Sequence, residues 1–111
     1  MPKNKRIVKK QKEFRKLNNK AGTGHPTYIY AKVGDTYHYI GITHAPVTQG
    51  VKNIPLEENP DPHDRRASYV KPKPGKDNRA NFGKRLNGWR FGKADQEKVD
   101  GIAGKEKTPR K

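Results

Sequence analysis

The chain has 111 residues, of which 29% are hydrophobic and 33% charged, and it carries a formal net charge of +15. This size and composition allow one small domain with a modest core. Because cysteine is absent, disulfides, thiolate zinc sites and cysteine nucleophiles are excluded, and a cytoplasmic setting is favoured. No segment approaches the roughly 20 apolar residues of a membrane span, so we expect no membrane partner.

Basic side chains are sorted into two blocks. Residues 1–20 contain nine Lys and Arg against the single acid Glu13, and residues 71–93 contain eight against Asp77. We call these segments the first and second basic blocks, and the segment between them is close to neutral. This distribution is typical of a surface that meets a polyanion, and nucleic acid, either DNA or RNA, fits it best.

The first basic block predicts a basic, flexible arm over residues 1–22. Its composition favours disorder in the free protein, although Ile7, Phe14 and Leu17 fall near one face and would allow a helix on binding. In either form the arm would neutralise phosphates. Its candidate nucleic-acid-binding residues are Lys9, Lys10, Lys12 and Arg15.

The clearest local pattern is a β-hairpin, with strands at residues 27–33 and 36–43 around Gly34-Asp35. A two-residue loop would pair Ile29 with Ile40 on an aliphatic core face. The opposite face would then collect Tyr28, Tyr30, Tyr37 and Tyr39 beside Lys32. A three-residue loop with a bulge would instead place the tyrosines of the first strand on the same face as the isoleucines of the second.

Two uses of this tyrosine face stay open. If the rings of Tyr30, Tyr37 and Tyr39 are exposed beside Lys32, they would stack unpaired bases. Alternatively, the face packs under the predicted C-terminal helix, which brings Phe82, Leu86 and Trp89 against it and makes it core.

After the hairpin the pattern changes to a long Pro-rich loop at residues 44–66, and a short strand is expected within residues 67–71. A helix is predicted at about 79–88, where Phe82, Leu86 and Trp89 are spaced at i, i+4 and i+7. Its apolar stripe would pack on the hairpin.

A second helix is predicted at about 94–103, docked by Val99 and Ile102, and a basic tail follows at 104–111. The expected fold is therefore a small α+β domain over residues 23–103. In it, an N-terminal antiparallel hairpin is packed by C-terminal helices.

The second basic block interleaves cations with aromatic residues. On the predicted helix its basic side chains would point away from the apolar stripe, so one element would complete the core and present cations to phosphates. The candidate nucleic-acid-binding residues are Lys71, Lys73, Lys76, Arg79, Lys84, Arg85 and Arg90. The four histidines lack the spacing of a metal site, so we expect no cofactor for a binding protein.

Two short runs, Tyr28-Ile29-Tyr30 and Tyr39-Ile40-Gly41, resemble the hairpin of GIY-YIG nucleases, with Tyr28 where that family has glycine. The resemblance implies a metal-dependent phosphodiesterase that uses Mg²⁺, with Tyr30 and Tyr39 at its active site. It would also assign Arg65 or Arg66 as a displaced arginine and Glu97 as a metal-binding glutamate on a later helix. As a whole, the chain also looks like uncharacterised small proteins of bacterial mobile elements.

These patterns favour a small, basic, non-catalytic nucleic-acid-binding protein. Two alternatives stay open: a nuclease of the GIY-YIG kind, and a structural or inhibitory protein that binds a ribonucleoprotein or an acidic protein surface. A net charge of +15 attracts any polyanion, so composition alone does not separate the first function from the last.

Overall fold

The computed structural model describes residues 8–18 and 24–105, with the side chains of 12–18 and 25–104. It has the α+β architecture that the sequence predicts, an antiparallel sheet followed by one C-terminal helix. The strands are β1 (Val8–Asn18), β2 (Gly24–Val33), β3 (Thr36–Thr43), β4 (Val47–Thr48), β5 (Val51–Lys52), β6 (Ile54–Pro55), β7 (Tyr69–Val70), β8 (Gly75–Asn78) and β9 (Phe82–Arg85). A 3-10 turn (Arg79–Asn81) joins β8 to β9, and the helix is α1 (Lys93–Lys105).

The main sheet has the strand order β6-β7-β3-β2-β1-β9, and all of its pairs are antiparallel. Strand β3 has two partners along its outer edge: β8 pairs with Thr36 to Tyr39, and β7 pairs with Ile42 and Thr43. Strands β4 and β5 form a separate two-stranded sheet. We call this hairpin, residues 47–52, the wing.

The main sheet is strongly curled. Phe82 of β9 packs against Tyr37 and Tyr39 of β3, with ring centroids 5.1 and 5.6 Å apart, although β1 and β2 lie between these strands. In a flat sheet, three strand spacings would separate them by about 14 Å. The short turn between β8 and β9 therefore joins the two edges of a partly closed barrel.

Two clusters of buried side chains lie on opposite faces of this curled sheet. The inner cluster fills the barrel and consists of Leu17, Ile29, Tyr37, Tyr39 and Phe82. The outer cluster lies under α1 and includes Phe14, Tyr28, Ile40, Ile42, Val70, Phe91, Val99 and Ile102. The predicted helix at 94–103 is confirmed, and Val99 and Ile102 dock it as expected.

The predicted hairpin and its two-residue loop are confirmed. Gly34 has φ of +60°, and beside the loop Lys32 faces Tyr37 while Ala31 faces His38. The register then shifts by one residue at Tyr30, so that Ile29 faces Tyr39.

The predicted single tyrosine face is wrong, because a one-residue bulge exchanges the two faces of β2. Tyr28 lies opposite Ile40 and belongs to the outer cluster, whereas Ile29 enters the inner cluster with Tyr37.

Part of the predicted flexible arm is a strand. Residues 8–18 form β1, which pairs with β2 on one side and β9 on the other. Phe14 of β1 is buried in the outer cluster, and Leu17 packs against the inner one. Because Phe14 and Leu17 lie on opposite faces and basic residues surround them, the sequence shows no alternating apolar pattern there. The remaining arm residues, 1–7 and 19–23, lie outside the described residues.

The predicted helix at 79–88 is wrong, since this segment is a 3-10 turn followed by β9 and an irregular stretch. Asn78 caps the turn by accepting a hydrogen bond from the Ala80 amide at 2.8 Å. Phe82 belongs to the inner cluster, whereas Leu86 and Trp89 pack on the outer one. The three residues therefore never share a helical stripe, and Gly88, with φ of +84°, is unsuited to a helix interior.

The Pro-rich segment 44–66 is not one continuous loop, because it contains the wing and β6. The predicted short strand within 67–71 is confirmed as β7, which lies between β6 and β3. The irregular stretch between β6 and β7 includes residues 57–68, and the buried carboxylate of Asp95 attaches this stretch to α1. That carboxylate accepts hydrogen bonds from the amides of Glu57 and Glu58 at 2.8 to 3.1 Å.

Candidate nucleic-acid interface

Cations of the second basic block face solvent and are rarely neutralised. Seven of its eight Lys and Arg side chains are exposed, and Lys71 is half-buried with its stem over Gly41. Arg79 lies 3.7 Å from the carboxylate of Asp35. Within residues 12–18 and 25–104, none of the other seven cations has a carboxylate within 4.0 Å. These charges contribute nothing to internal pairing and are available to an external anion.

The backbone that carries these cations is held in place by the aromatic residues between them. Phe82 and Phe91 are buried on opposite faces of the sheet, and Trp89 packs on Phe14 at a centroid distance of 5.7 Å. The amide of Leu86 also donates to the carbonyl oxygen of Phe14 at 2.7 Å. The basic side chains therefore project from fixed backbone positions.

Four of the cations lie along the join between the two edge strands. Lys76 is on β8, Arg79 is in the 3-10 turn, and Lys84 and Arg85 are on β9. A three-residue 3-10 turn rises only about 6 Å, so the facing ends of β8 and β9 lie close together. We call Lys76, Arg79, Lys84 and Arg85 the basic seam.

The two acids beside the basic seam have structural contacts. The Asp77 carboxylate accepts hydrogen bonds from the Asn78 amide and the Asn81 side-chain amide, both at 2.7 Å. Asp35 accepts the amide of Arg79 through its backbone oxygen at 2.8 Å, which docks the 3-10 turn on the hairpin loop. Both contacts fix the geometry of the seam.

Arg15, a predicted phosphate ligand, is engaged inside the fold. Its Nη1 donates to the carbonyl oxygen of Gly83 at 2.9 Å, its Nε pairs with Glu13, and its guanidinium lies 5.7 Å from the ring centre of Tyr37. Arg15 therefore ties β1 to β9, and two of its five N–H donors are engaged inside the fold.

The other basic residues of β1 and β2 differ in how they are placed. Lys12 and Lys16 are exposed on β1, and Lys16 lies between the two residues that pair with β9. Lys9 and Lys10 also belong to β1, which the structure describes only as backbone at those two positions. Lys32 is half-buried beside Tyr37.

The tyrosines do not form an open stacking platform. Tyr28 and Tyr37 are 2% and 9% exposed, and Tyr30 and Tyr39 are half-buried. Phe82 meets Tyr37 and Tyr39 edge-on and covers these two rings, as the second alternative expected, but it does so from β9 and not from a helix. Burial raises the pKa of Tyr39, assisted by Asp77.

Residues that the GIY-YIG resemblance implies are not brought together. Tyr30 packs towards the outer cluster with His38, whereas Tyr39 belongs to the inner cluster on the opposite face. Arg65 is exposed in the segment before β7, and Glu97 is exposed on α1. Among the described side chains, no group of three His, Asp or Glu residues is arranged to hold a metal ion. The nuclease and its Mg²⁺ stay predictions.

A cavity of about 380 Å³ lies in the segment 57–68, lined by both acidic and basic side chains. Beside it, Arg66 donates to both carboxylate oxygens of Asp64 and holds the pKa of that carboxyl well below its usual range. His44 Nε2 lies 3.5 Å from the same carboxylate. Asp64 and Arg66 therefore neutralise each other, unlike most cations of the second basic block.

Two features of the surface have no counterpart in the sequence-based candidates. One is the pairing of β9 with β1, which places Lys16 beside Lys84 and Arg85. The other is the wing. Its sequence signal is Val47-Thr48-Gln49-Gly50-Val51, in which β-branched residues flank a Gln-Gly turn.

No family model, no curated protein and no solved structure matches this chain. In the part that the structure describes, the helix α1 has 13 residues, and no helix there is long and apolar enough to cross a membrane. Function must therefore be inferred from the charges and contacts of the chain itself.

Proposed function

We propose that this chain is a non-catalytic nucleic-acid-binding protein of the cytoplasm that binds phosphates through the second basic block. One observation carries the proposal: seven exposed or half-buried cations without a nearby carboxylate are displayed on a backbone fixed by buried aromatic residues.

The basic seam supplies the centre of this interface. Lys84 and Arg85 lie on β9, and Lys16 extends the patch on the neighbouring strand β1. A polynucleotide that crosses these strands would exchange its condensed counterions for protein cations, which makes binding tighter at low salt. Arginine adds two-pronged hydrogen bonding to phosphate oxygens. Base stacking has no part in this mechanism, because the tyrosine rings are largely covered.

A matched pair of charge reversals tests the assignment of the interface. Arg85 and Arg65 are both exposed arginines without a carboxylate within 4.0 Å among the described residues, but only Arg85 lies in the basic seam. We expect Arg85→Glu to weaken binding to oligonucleotides of about 20 nucleotides by about tenfold at low salt and to reduce the salt slope by about 1. Arg65→Glu should change the affinity by less than about twofold.

Equal losses from the two substitutions would show that only net charge matters and would contradict a defined interface. Heparin in excess separates nucleic acid from an acidic protein as the partner. Displacement by heparin supports phosphate binding, whereas a complex with one purified acidic protein that survives heparin would contradict it.

A further inference from the structure

The wing is a separate hairpin that projects from the end of β3. Val47 pairs with Lys52 and Thr48 pairs with Val51. Within the described residues, no strand of the main sheet pairs with β4 or β5. Its turn residues Gln49 and Gly50 have φ of +52° and +81°. Two successive positive values are the geometry that tight two-residue hairpins prefer. The turn is therefore a regular hairpin turn and not an irregular loop.

The base of the wing is rigid because a buried side chain clamps it. Asn53 donates from Nδ2 to the carbonyl oxygen of Ala45 at 2.9 Å and to the Thr48 hydroxyl at 2.8 Å. Its backbone amide donates to the carbonyl oxygen of Pro46, also at 2.9 Å. A hairpin held this way presents its side chains at fixed positions.

Both faces of the wing carry apolar surface. Val47 and Val51 are 49% and 50% exposed and are the large exposed hydrophobic residues within the described side chains. Because residues on one face of an antiparallel pair lie directly opposite each other, Val47 shares a face with Lys52 and Val51 shares the other with Thr48. A flat partner surface would cover one valine only. A groove would cover both.

The charged residues on and beside the wing indicate which kind of groove it would fit. Residues 44–56 contain no Asp or Glu, and Lys52 lies on the wing itself. At its root, Lys71 of the second basic block lies across Gly41, two residues before β3 ends. A ribbon without acidic residues, which carries Lys52 and has Lys71 near its base, complements a groove between two phosphate backbones.

We propose that the wing enters the major groove of duplex DNA, an inference that rests on the proposed nucleic-acid binding and gives it a substrate class. The major groove of B-DNA, about 12 Å wide, admits a two-stranded ribbon. That of duplex RNA is too deep and narrow for side chains. Valine methyls suit contact with thymine methyls. The side-chain amide of Gln49 at the tip offers a donor and an acceptor that complement the N7 acceptor and N6 donor of adenine in the major groove.

Affinity measurements on a wing variant test this. The probes are a DNA duplex of about 20 base pairs, its single strand and an RNA duplex of the same sequence. Val47→Ser combined with Val51→Ser should weaken DNA-duplex binding by about tenfold and single-strand binding by less than about twofold. The salt slope should not change, because no charge is removed. Ala67→Ser with Ala94→Ser adds serines at exposed positions outside the wing and should leave every affinity unchanged.

Methylation of the bound duplex by dimethyl sulfate identifies the groove. The wild-type protein should protect guanine N7, which lies in the major groove, and the wing variant should not. Protection of adenine N3 in the minor groove would overturn the proposal. So would duplex affinity that the valine substitutions leave unchanged while Arg85→Glu lowers it, a result that keeps nucleic-acid binding and places the wing outside the interface. A wild-type protein that binds no probe would overturn both.

Discussion

The ring of Tyr39 lies against Gly75 of the neighbouring strand β8, so closely that an added Cβ on Gly75 would stand 2.7 Å from Cζ of Tyr39. Only glycine leaves room for the ring there. The contact turns Tyr39 into the barrel, where it meets Phe82. The same contact sets the path of β8, which carries Lys76 of the basic seam. Core packing and the position of the interface are therefore linked at this residue.

Replacement of Gly75 by alanine should be destabilising because the new methyl group forces Tyr39 or β8 to move. We expect a loss of about 1–3 kcal/mol in the free energy of unfolding, measured by urea denaturation. Gly101→Ala is the matched control, since Gly101 lies in α1 with no atom within 4 Å of an added Cβ. It should stabilise by about 0.5–1 kcal/mol. Equal effects of the two substitutions would contradict the described contact.

Asp95 should be a main attachment of the segment 57–68. Asp95→Ala leaves the amides of Glu57 and Glu58 without their acceptor, so we expect unfolding to become easier by about 1–3 kcal/mol. Asp95→Asn keeps one acceptor oxygen and should cost less. Glu97→Ala, on an exposed position of the same helix, should change stability by less than about 0.5 kcal/mol. If Asp95→Ala were as mild as Glu97→Ala, the attachment would be misassigned.

Alanine substitutions of Arg15 and of its neighbour Lys16 distinguish the effect of a lost charge from the effect of a lost structural contact. Either residue mutated to alanine removes one positive charge, but only Arg15 bonds to Gly83 across the strand pair. We expect Arg15→Ala to lower the free energy of unfolding by about 1–2 kcal/mol, and Lys16→Ala to leave it within about 0.5 kcal/mol. For nucleic-acid affinity the order should reverse, with Lys16→Ala the more harmful. Thermal unfolding of both variants checks the predicted stabilities, and oligonucleotide titration checks the predicted affinities.

Stability should decline at alkaline pH because two tyrosines are more acidic in the unfolded chain. Burial raises the pKa of Tyr28 and Tyr39 above the ordinary value of 10.0. Below that value both states hold neutral phenols and the stabilisation is complete. As pH rises past it, the unfolded chain ionises first, and the stabilisation is lost on approach to the folded pKa. Tyr39→Phe should flatten the decline in urea unfolding above pH 10. If the stability of Tyr39→Phe fell as steeply above pH 10 as that of the wild type, this prediction would be contradicted.

Parts of the fold governed by local chemistry were predictable. The Gly34-Asp35 turn follows from a glycine at a position that requires positive φ, and α1 follows from the spacing of Val99 and Ile102. The bulge at Tyr30 was not predictable, because its position depends on how β2 packs between the two clusters. A shift of one residue exchanges the faces of a strand, so the tyrosine platform depended on this detail.

Long-range pairing defeated two other predictions. β1 looks disordered by composition, and its apolar residues, such as Phe14, find partners only once β2 and β9 are in place. Likewise Phe82 and Leu86 have helical spacing, yet they pack in different clusters on opposite faces of a curled sheet. For the candidate site, the basic character of the second basic block was visible in the sequence. The meeting of β8 and β9 at one seam required the closure of the sheet.

The salt dependence of binding tests the central claim most directly. If about six phosphates are neutralised, a plot of log affinity against log salt concentration for the DNA duplex should have a slope of roughly −5, and Arg85→Glu should make it shallower by about 1. A slope near zero, or a slope that Arg85→Glu leaves unchanged, would contradict phosphate binding through the second basic block.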